Sequence, residues 1–220
     1  MIAALLLAAN VAVASGAPLA HWTGAPGRKC VEYLAPGAIL RGYSYVGKVE
    51  RGPVLLLFGG ENQNIETLDT AARGFARNAS RVVVYDYRGS GFSTGVANWD
   101  DFRADAVKLY DATLAGSSVK RVVVLGCCYA GTGIAAYLAT QRKVAGLILV
   151  PGARHFDKPA TLRQVRAPLL VFQDEHLEKI AASPDKRFVA IAGPKRDGLL
   201  LENPQSQAAV AQFLLHVTNV

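Results

Sequence analysis

Cysteine is scarce in this chain of 220 residues, and the three present, Cys30, Cys127 and Cys128, are odd in number. An all-paired disulfide framework within one chain is therefore excluded. Cys30 could pair with Cys127, or Cys127 with Cys128 in a strained vicinal bond. Buried thiols are the plainer reading, above all for Cys127. Long apolar runs are missing too. The most apolar stretch, Ile2 to Ala9, is broken by Asn10, and Ser15, Gly16 and Pro18 follow too soon for a membrane span of about 20 residues. Net charge is +7 and the isoelectric point about 9.5, yet no block of like charge occurs. Scattered basic residues argue for a solvated surface and against a nucleic-acid-binding face. Neither H-E-x-x-H nor a paired C-x-x-C is present, so no metal is expected. Gly89-Ser90-Gly91 and Gly131-Thr132-Gly133 echo dinucleotide loops, but neither completes G-x-G-x-x-G directly between a strand and a helix, and no cofactor is expected.

What is present reads as a folded domain. Hydrophobic residues make up 51% and charged residues 19%, far from the balance that keeps a chain disordered. Residues 1–20 are nearly all apolar or small and carry an A-x-A pattern at Ala12-Val13-Ala14, as in a secretory signal peptide, although the basic n-region is missing. Export to the periplasm or beyond is the expectation; an uncleaved apolar strand or helix is the alternative. Residues 21–220 then form a single domain, with no repeat, low-complexity tract or linker. Asn78-Ala79-Ser80 is a glycosylation sequon, meaningful only in a eukaryotic secretory route.

Apolar runs bounded by turn residues predict strands over Ala38–Val46, Val54–Phe58, Val82–Tyr85, Arg121–Leu125, Val144–Val150, Pro168–Phe172 and Arg187–Ala192. Helical spacing predicts helices over Glu66–Arg77, from an Asn98 cap to Leu114, through Gly133–Ala139, and over Pro204–Val217, with a short one near Thr161–Val165. Strands alternating with helices give the α/β class: a doubly wound, mostly parallel sheet. Fewer than twenty residues separate the strand ending at Val150 from the one beginning at Leu169, too few for a folded cap domain.

Gly126-Cys127-Cys128-Tyr129-Ala130-Gly131 joins strand chemistry to helix chemistry through small residues, the context of a nucleophile elbow. The exposed side chain of such a turn would be Cys128, at a positive helix N-terminus that favours a thiolate.

Three blocks together resemble the α/β-hydrolase family, in its serine aminopeptidase-like or dienelactone hydrolase-like branch. They are Leu55 to Asn62, which is similar to the strand and oxyanion loop; Asp86-Tyr87-Arg88-Gly89-Ser90-Gly91-Phe92-Ser93, which is similar to D-Y-R-G-x-G-x-S; and the elbow, with Ala130 in place of the second glycine of G-x-S-x-G. The resemblance implies acyl transfer to Cys128 followed by hydrolysis. It also implies an oxyanion hole from the backbone N–H groups of Tyr129 and about Glu61, and a small acyl-type ligand. Dienelactone hydrolase-like members also use cysteine. The Glu61 side chain would bring negative charge to that hole.

The other two slots depart from the pattern. Leu177 stands where the acid is expected, with Asp174, Glu175, Glu178 and Asp157 as possible substitutes. Arg196 stands where the base is expected, and a guanidinium cannot accept a proton. Of the four histidines, His155 and His176 fall on loops at the correct end of the sheet, whereas His21 and His216 do not. Three readings follow. The first is a hydrolase-fold protein with a degraded triad (Cys128, Leu177, Arg196), little or no hydrolysis, and a tendency to trap acyl groups. The second is a cysteine hydrolase of a small ester, thioester or lactone using a relocated His176 or His155. The third is a redox- or ligand-responsive protein using the Cys127–Cys128 pair. Trp99 and Phe102 could face an acyl group, with packing as the plainer role.

Overall fold

A computed structural model describes residues 22–150, 159–173, 179, 181–191 and 197–219; of residues 159 and 197–199 it describes the backbone alone. The strands are β1 (Arg28–Ala35), β2 (Ala38–Val46), β3 (Val54–Phe58), β4 (Arg81–Tyr85), β5 (Val122–Cys127), β6 (Gly146–Val150), β7 (Leu169–Phe172) and β8 (Lys186–Val189). The helices are α1 (Asp69–Phe75), α2 (Trp99–Ala115), α3 (Cys128–Gln141), α4 (Pro159–Leu162), α5 (Asp197–Glu202) and α6 (Pro204–Asn219). The eight strands form one sheet in the order β1-β2-β4-β3-β5-β6-β7-β8. β1, β2 and β4 pair antiparallel, and every pairing from β4 through β8 is parallel.

The central strands are apolar at every position because both sheet faces are covered. All residues of β3 and of β5 are buried. Side chains alternate between faces, so each strand feeds two cores. Leu55, Leu57, Val82, Val84, Val123 and Leu125 meet Phe75 of α1 and Phe213 of α6. Val54, Leu56, Val83, Val122 and Val124 meet Phe102 and Leu109 of α2 and Ile134 and Leu138 of α3. Each such Leu or Phe contributes about 1.5–3 kcal/mol by leaving water. Among the described residues, no helix is long and apolar enough to cross a membrane.

The main departures from the sequence expectations have local causes. β1 was not expected; its exposed residues alternate with half-buried ones except at Cys30-Val31, but none is buried, and it holds its place by pairing with β2 around Pro36-Gly37. α1 begins at Asp69 rather than Glu66, because Asn64 Oδ1 accepts the N–H groups of Glu66 (3.1 Å) and Thr67 (2.9 Å) and holds that stretch as a turn. α2 starts where Asn98 caps it: Asn98 Oδ1 accepts the Asp101 N–H at 2.9 Å.

Candidate active site

β5 and α3 meet at Cys127-Cys128 with no intervening loop. The chain can reverse that sharply only if one residue leaves the usual backbone regions, and Cys128 does so, with φ of 60°. A non-glycine residue held in the left-handed region costs on the order of 1–3 kcal/mol, and such strain gathers at functional turns. The turn is tight enough that a Cβ on Gly131 would lie 2.3 Å from the Phe58 carbonyl oxygen. Gly126 is held as tightly, since a Cβ there would lie 2.2 Å from the Gly131 carbonyl oxygen, while Ala130 fits at 1% exposure. This is why alanine is tolerated at the second glycine of the elbow pattern.

The thiol is enclosed from three sides. Cys128 is 4% exposed and Cys127 fully buried. Their sulfurs are 3.2 Å apart, and none of the three cysteines is joined in a disulfide. Cys128 Sγ also donates to Gln63 Oε1 at 3.6 Å, and the same oxygen accepts the Gly60 N–H at 2.7 Å. Gly60 passes so close that an added Cβ would meet Cys128 Sγ at 2.7 Å. Sequence reading did not single out Gln63. It is one polar residue on a polar loop, and only the turn from Gly60 to Gln63 carries its amide to the sulfur.

Glu61 and Tyr129, the expected oxyanion donors, both lie at the N-terminus of α3. Glu61 Oε2 accepts the Ala130 N–H at 3.3 Å, so the carboxylate rests on the positive end of α3, one residue past Tyr129. Tyr129 turns its ring edge-on to Trp99, with centroids 6.2 Å apart, and Trp99 meets Phe102 at 5.9 Å. Phe102 is core, packed on Tyr87 at 5.1 Å, whereas Trp99 is half-buried beside the site. The Tyr87 hydroxyl donates to the Gly59 carbonyl at 2.7 Å. Burial pushes its pKa well above the ordinary phenol value, and the neighbouring Cys128, Cys127 and Glu61 push it further up. It is a neutral strut.

The D-Y-R-G-x-G-x-S segment proves to be the scaffold of this site. Asp86 accepts the N–H of Ile65 and of Phe92, each at 2.8 Å, and so staples the loop after β4 to the loop after β3. Burial raises its carboxyl to about 7 despite those two bonds. Ser93 Oγ donates to the Asp86 carbonyl and accepts the Arg41 N–H. Arg88 forms a buried two-pronged pair with Asp105, both bonds 2.7 Å, and reaches Asp101 at 2.9 Å.

The rest of the expected triad lies outside the described residues: His155, Asp157, Asp174, Glu175, His176, Leu177, Glu178 and Arg196, with His21. His216 is described, and it serves elsewhere. Its Nε2 lies 2.5 Å from Asp185 Oδ2, and Asp185 precedes β8 at the opposite edge of the sheet from Cys128. The described part of the site thus offers a thiol, backbone donors at a helix N-terminus and an aromatic wall. Among the described residues, no group of three or more His, Cys, Asp or Glu side chains could hold a metal ion.

Known proteins resemble this chain at the level of the fold. No curated protein matches the chain in sequence. Among solved structures, Est1E from Butyrivibrio proteoclasticus, described with ferulic acid bound, superposes with a TM-score of 0.72 at 15% identity, covering 86% of this chain and 100% of that one. The esterase Pf2001 from Pyrococcus furiosus gives 0.71 at 14%, covering 87% and 93%. An α/β hydrolase from Vibrio vulnificus gives 0.67 at 17%, covering 88% and 81%. At such identities the likeness shows the fold alone. Residues 53–191 match the family model described as the alpha/beta hydrolase fold, and the chain belongs to that family.

Proposed function

We propose that this protein accepts acyl groups on Cys128 from small esters or thioesters and releases them slowly or not at all. The observation that carries the reading is the strained elbow: Cys128 is held at φ of 60° on the N-terminus of α3, with Gly60 pressed against its sulfur. A cysteine that merely filled space would gain nothing from that strain. Solved esterases with the same fold support an acyl substrate. Slow release follows from the sequence, in which Arg196 and Leu177 occupy the slots of the base and the acid. A thiolate attacks a carbonyl without a base, but water needs one to attack the thioester. Losing a triad costs roughly a millionfold in turnover.

The test is p-nitrophenyl acetate with stopped-flow and intact-mass readouts. A burst of p-nitrophenol stoichiometric with protein, one acetyl group retained, and loss of both in Cys128→Ala are expected. Cys128-dependent multiple turnover would overturn slow release and favour a working cysteine hydrolase with His176 or His155 as base. Absence of any Cys128 acylation would overturn the reading altogether.

A further inference from the structure

Cys127 is superfluous to acyl transfer, yet its sulfur is the nearest sulfur to the reactive one. The two Sγ atoms are 3.2 Å apart, on adjacent residues of one rigid turn. Their access to the outside differs. Cys128 keeps 4% of its surface exposed while Cys127 keeps none. A small oxidant therefore meets Cys128 first and finds Cys127 behind it.

We propose that Cys127 and Cys128 form a hydroperoxide-responsive pair in which Cys127 resolves the sulfenic acid formed on Cys128 into a vicinal disulfide. The inference rests on Cys128 being the reactive thiol of the site. In the first step the Cys128 thiolate attacks the O–O bond of a hydroperoxide. An S–O bond forms, the O–O bond breaks, and hydroxide or alkoxide leaves with the proton of the medium. In the second step Cys127 sulfur attacks the sulfenyl sulfur of Cys128. The S–S bond forms, the S–O bond breaks, and the Cys127 proton leaves with the hydroxyl as water. Two electrons pass from the sulfur pair to the peroxide, and the protein is left oxidised by two hydrogens.

Chain geometry makes this bond reversible. Neighbouring Cα atoms across a trans peptide are about 3.8 Å apart. Ordinary disulfides place them about 4.4–6.8 Å apart. A bond between adjacent residues is therefore strained, and strained disulfides are the readily reduced ones. The pair would shield Cys128 from irreversible sulfinic acid and return it to the thiol under mild reductant. While oxidised, the site could accept no acyl group.

The experiment exposes a Cys30→Ser protein to hydrogen peroxide and reads intact mass, peptide mapping and thiol alkylation before and after dithiothreitol. Expected is the loss of two hydrogens, a crosslink mapped to Cys127 and Cys128 of one chain, and full restoration of both thiols by dithiothreitol. Cys127→Ala in the same background should instead gain two or three oxygens on Cys128, with no recovery. Should the protein with both thiols intact gain those oxygens as well, form the bond between chains, or resist peroxide, the proposal fails. None of these readouts uses an ester. A protein that forms the reversible bond yet never acylates would keep this inference and lose the functional reading above.

Discussion

A carboxylate at position 61 works against the reaction that its loop would otherwise serve. The Glu61 carboxylate holds the Ala130 N–H at the mouth of α3, on the same positive helix end that would stabilise a tetrahedral oxyanion. It caps the helix, and in the proposed acylation it would repel the charge that develops on the substrate. Glu61→Gln separates the two roles, because the amide oxygen can still accept the Ala130 N–H while the charge is gone. Removing a repulsion on the order of 1 kcal/mol raises the burst rate with p-nitrophenyl acetate roughly fivefold to tenfold, with the thermal midpoint little changed. A slower burst in Glu61→Gln would instead make the carboxylate a base and overturn this account. At this scale the sequence was informative about identity and silent about contact. Cys128, Tyr129 and Glu61 stood out by position in a pattern, but the approach of Gln63 and Gly60 to the sulfur depends on how the loop after β3 turns back.

Among elements, the loop after β4 and the start of α2 frame the site. Trp99, the first residue of α2, presents its ring to Tyr129, so the aromatic wall is only as firm as the first turn of that helix. Asn98 holds the turn by accepting the Asp101 N–H. Asn98→Ala should cost about 1 kcal/mol, visible as a lower urea midpoint with unchanged slope. An unchanged midpoint would show that the Arg88 pairs to Asp101 and Asp105 hold the helix start without its cap. The Asn98 cap and the long period of α2 were legible in sequence because both are local. β1 was not, because its place in the sheet comes from its partner strand and not from its own pattern. The start of α1 was misplaced because Asn64 offers the backbone a turn that competes with the helix.

For the molecule as a whole, the buried carboxyl of Asp86 couples the site's scaffold to pH. Its carboxyl is pushed up to about 7 by burial, partly offset by the N–H bonds from Phe92 and Ile65, and raised further by the Glu66 charge. An unfolded Asp titrates near about 3.9, so between these values the folded chain holds the proton more tightly. The stability contributed by this group is fully present below about pH 4 and is lost as pH rises through about 7. Asp86→Asn lacks one acceptor and should carry a roughly constant penalty of about 1–3 kcal/mol from an unpaired N–H. The stability of the native protein minus that of the variant should therefore fall between pH 5 and pH 8, as approximate bounds, and change sign within that range in chemical denaturation. Acidic groups held low by arginine, such as Asp111 beside Arg142, cancel in that difference. A pH-independent difference would show that Asp86 stays ionised when buried.

The sequence by itself determined the layered α/β plan, because uniformly apolar strands and helix-period segments are local patterns that only a sheet covered on both faces can bury. It also determined the elbow, since small residues must follow a strand that turns at once into a helix. Only the tertiary structure decided which atoms meet the thiol. The sulfur's neighbours come from the ends of β3, β4 and β5, adjacent in the sheet yet tens of residues apart in the chain, and the side chain of Glu61 reaches the helix end only once those strands are in register.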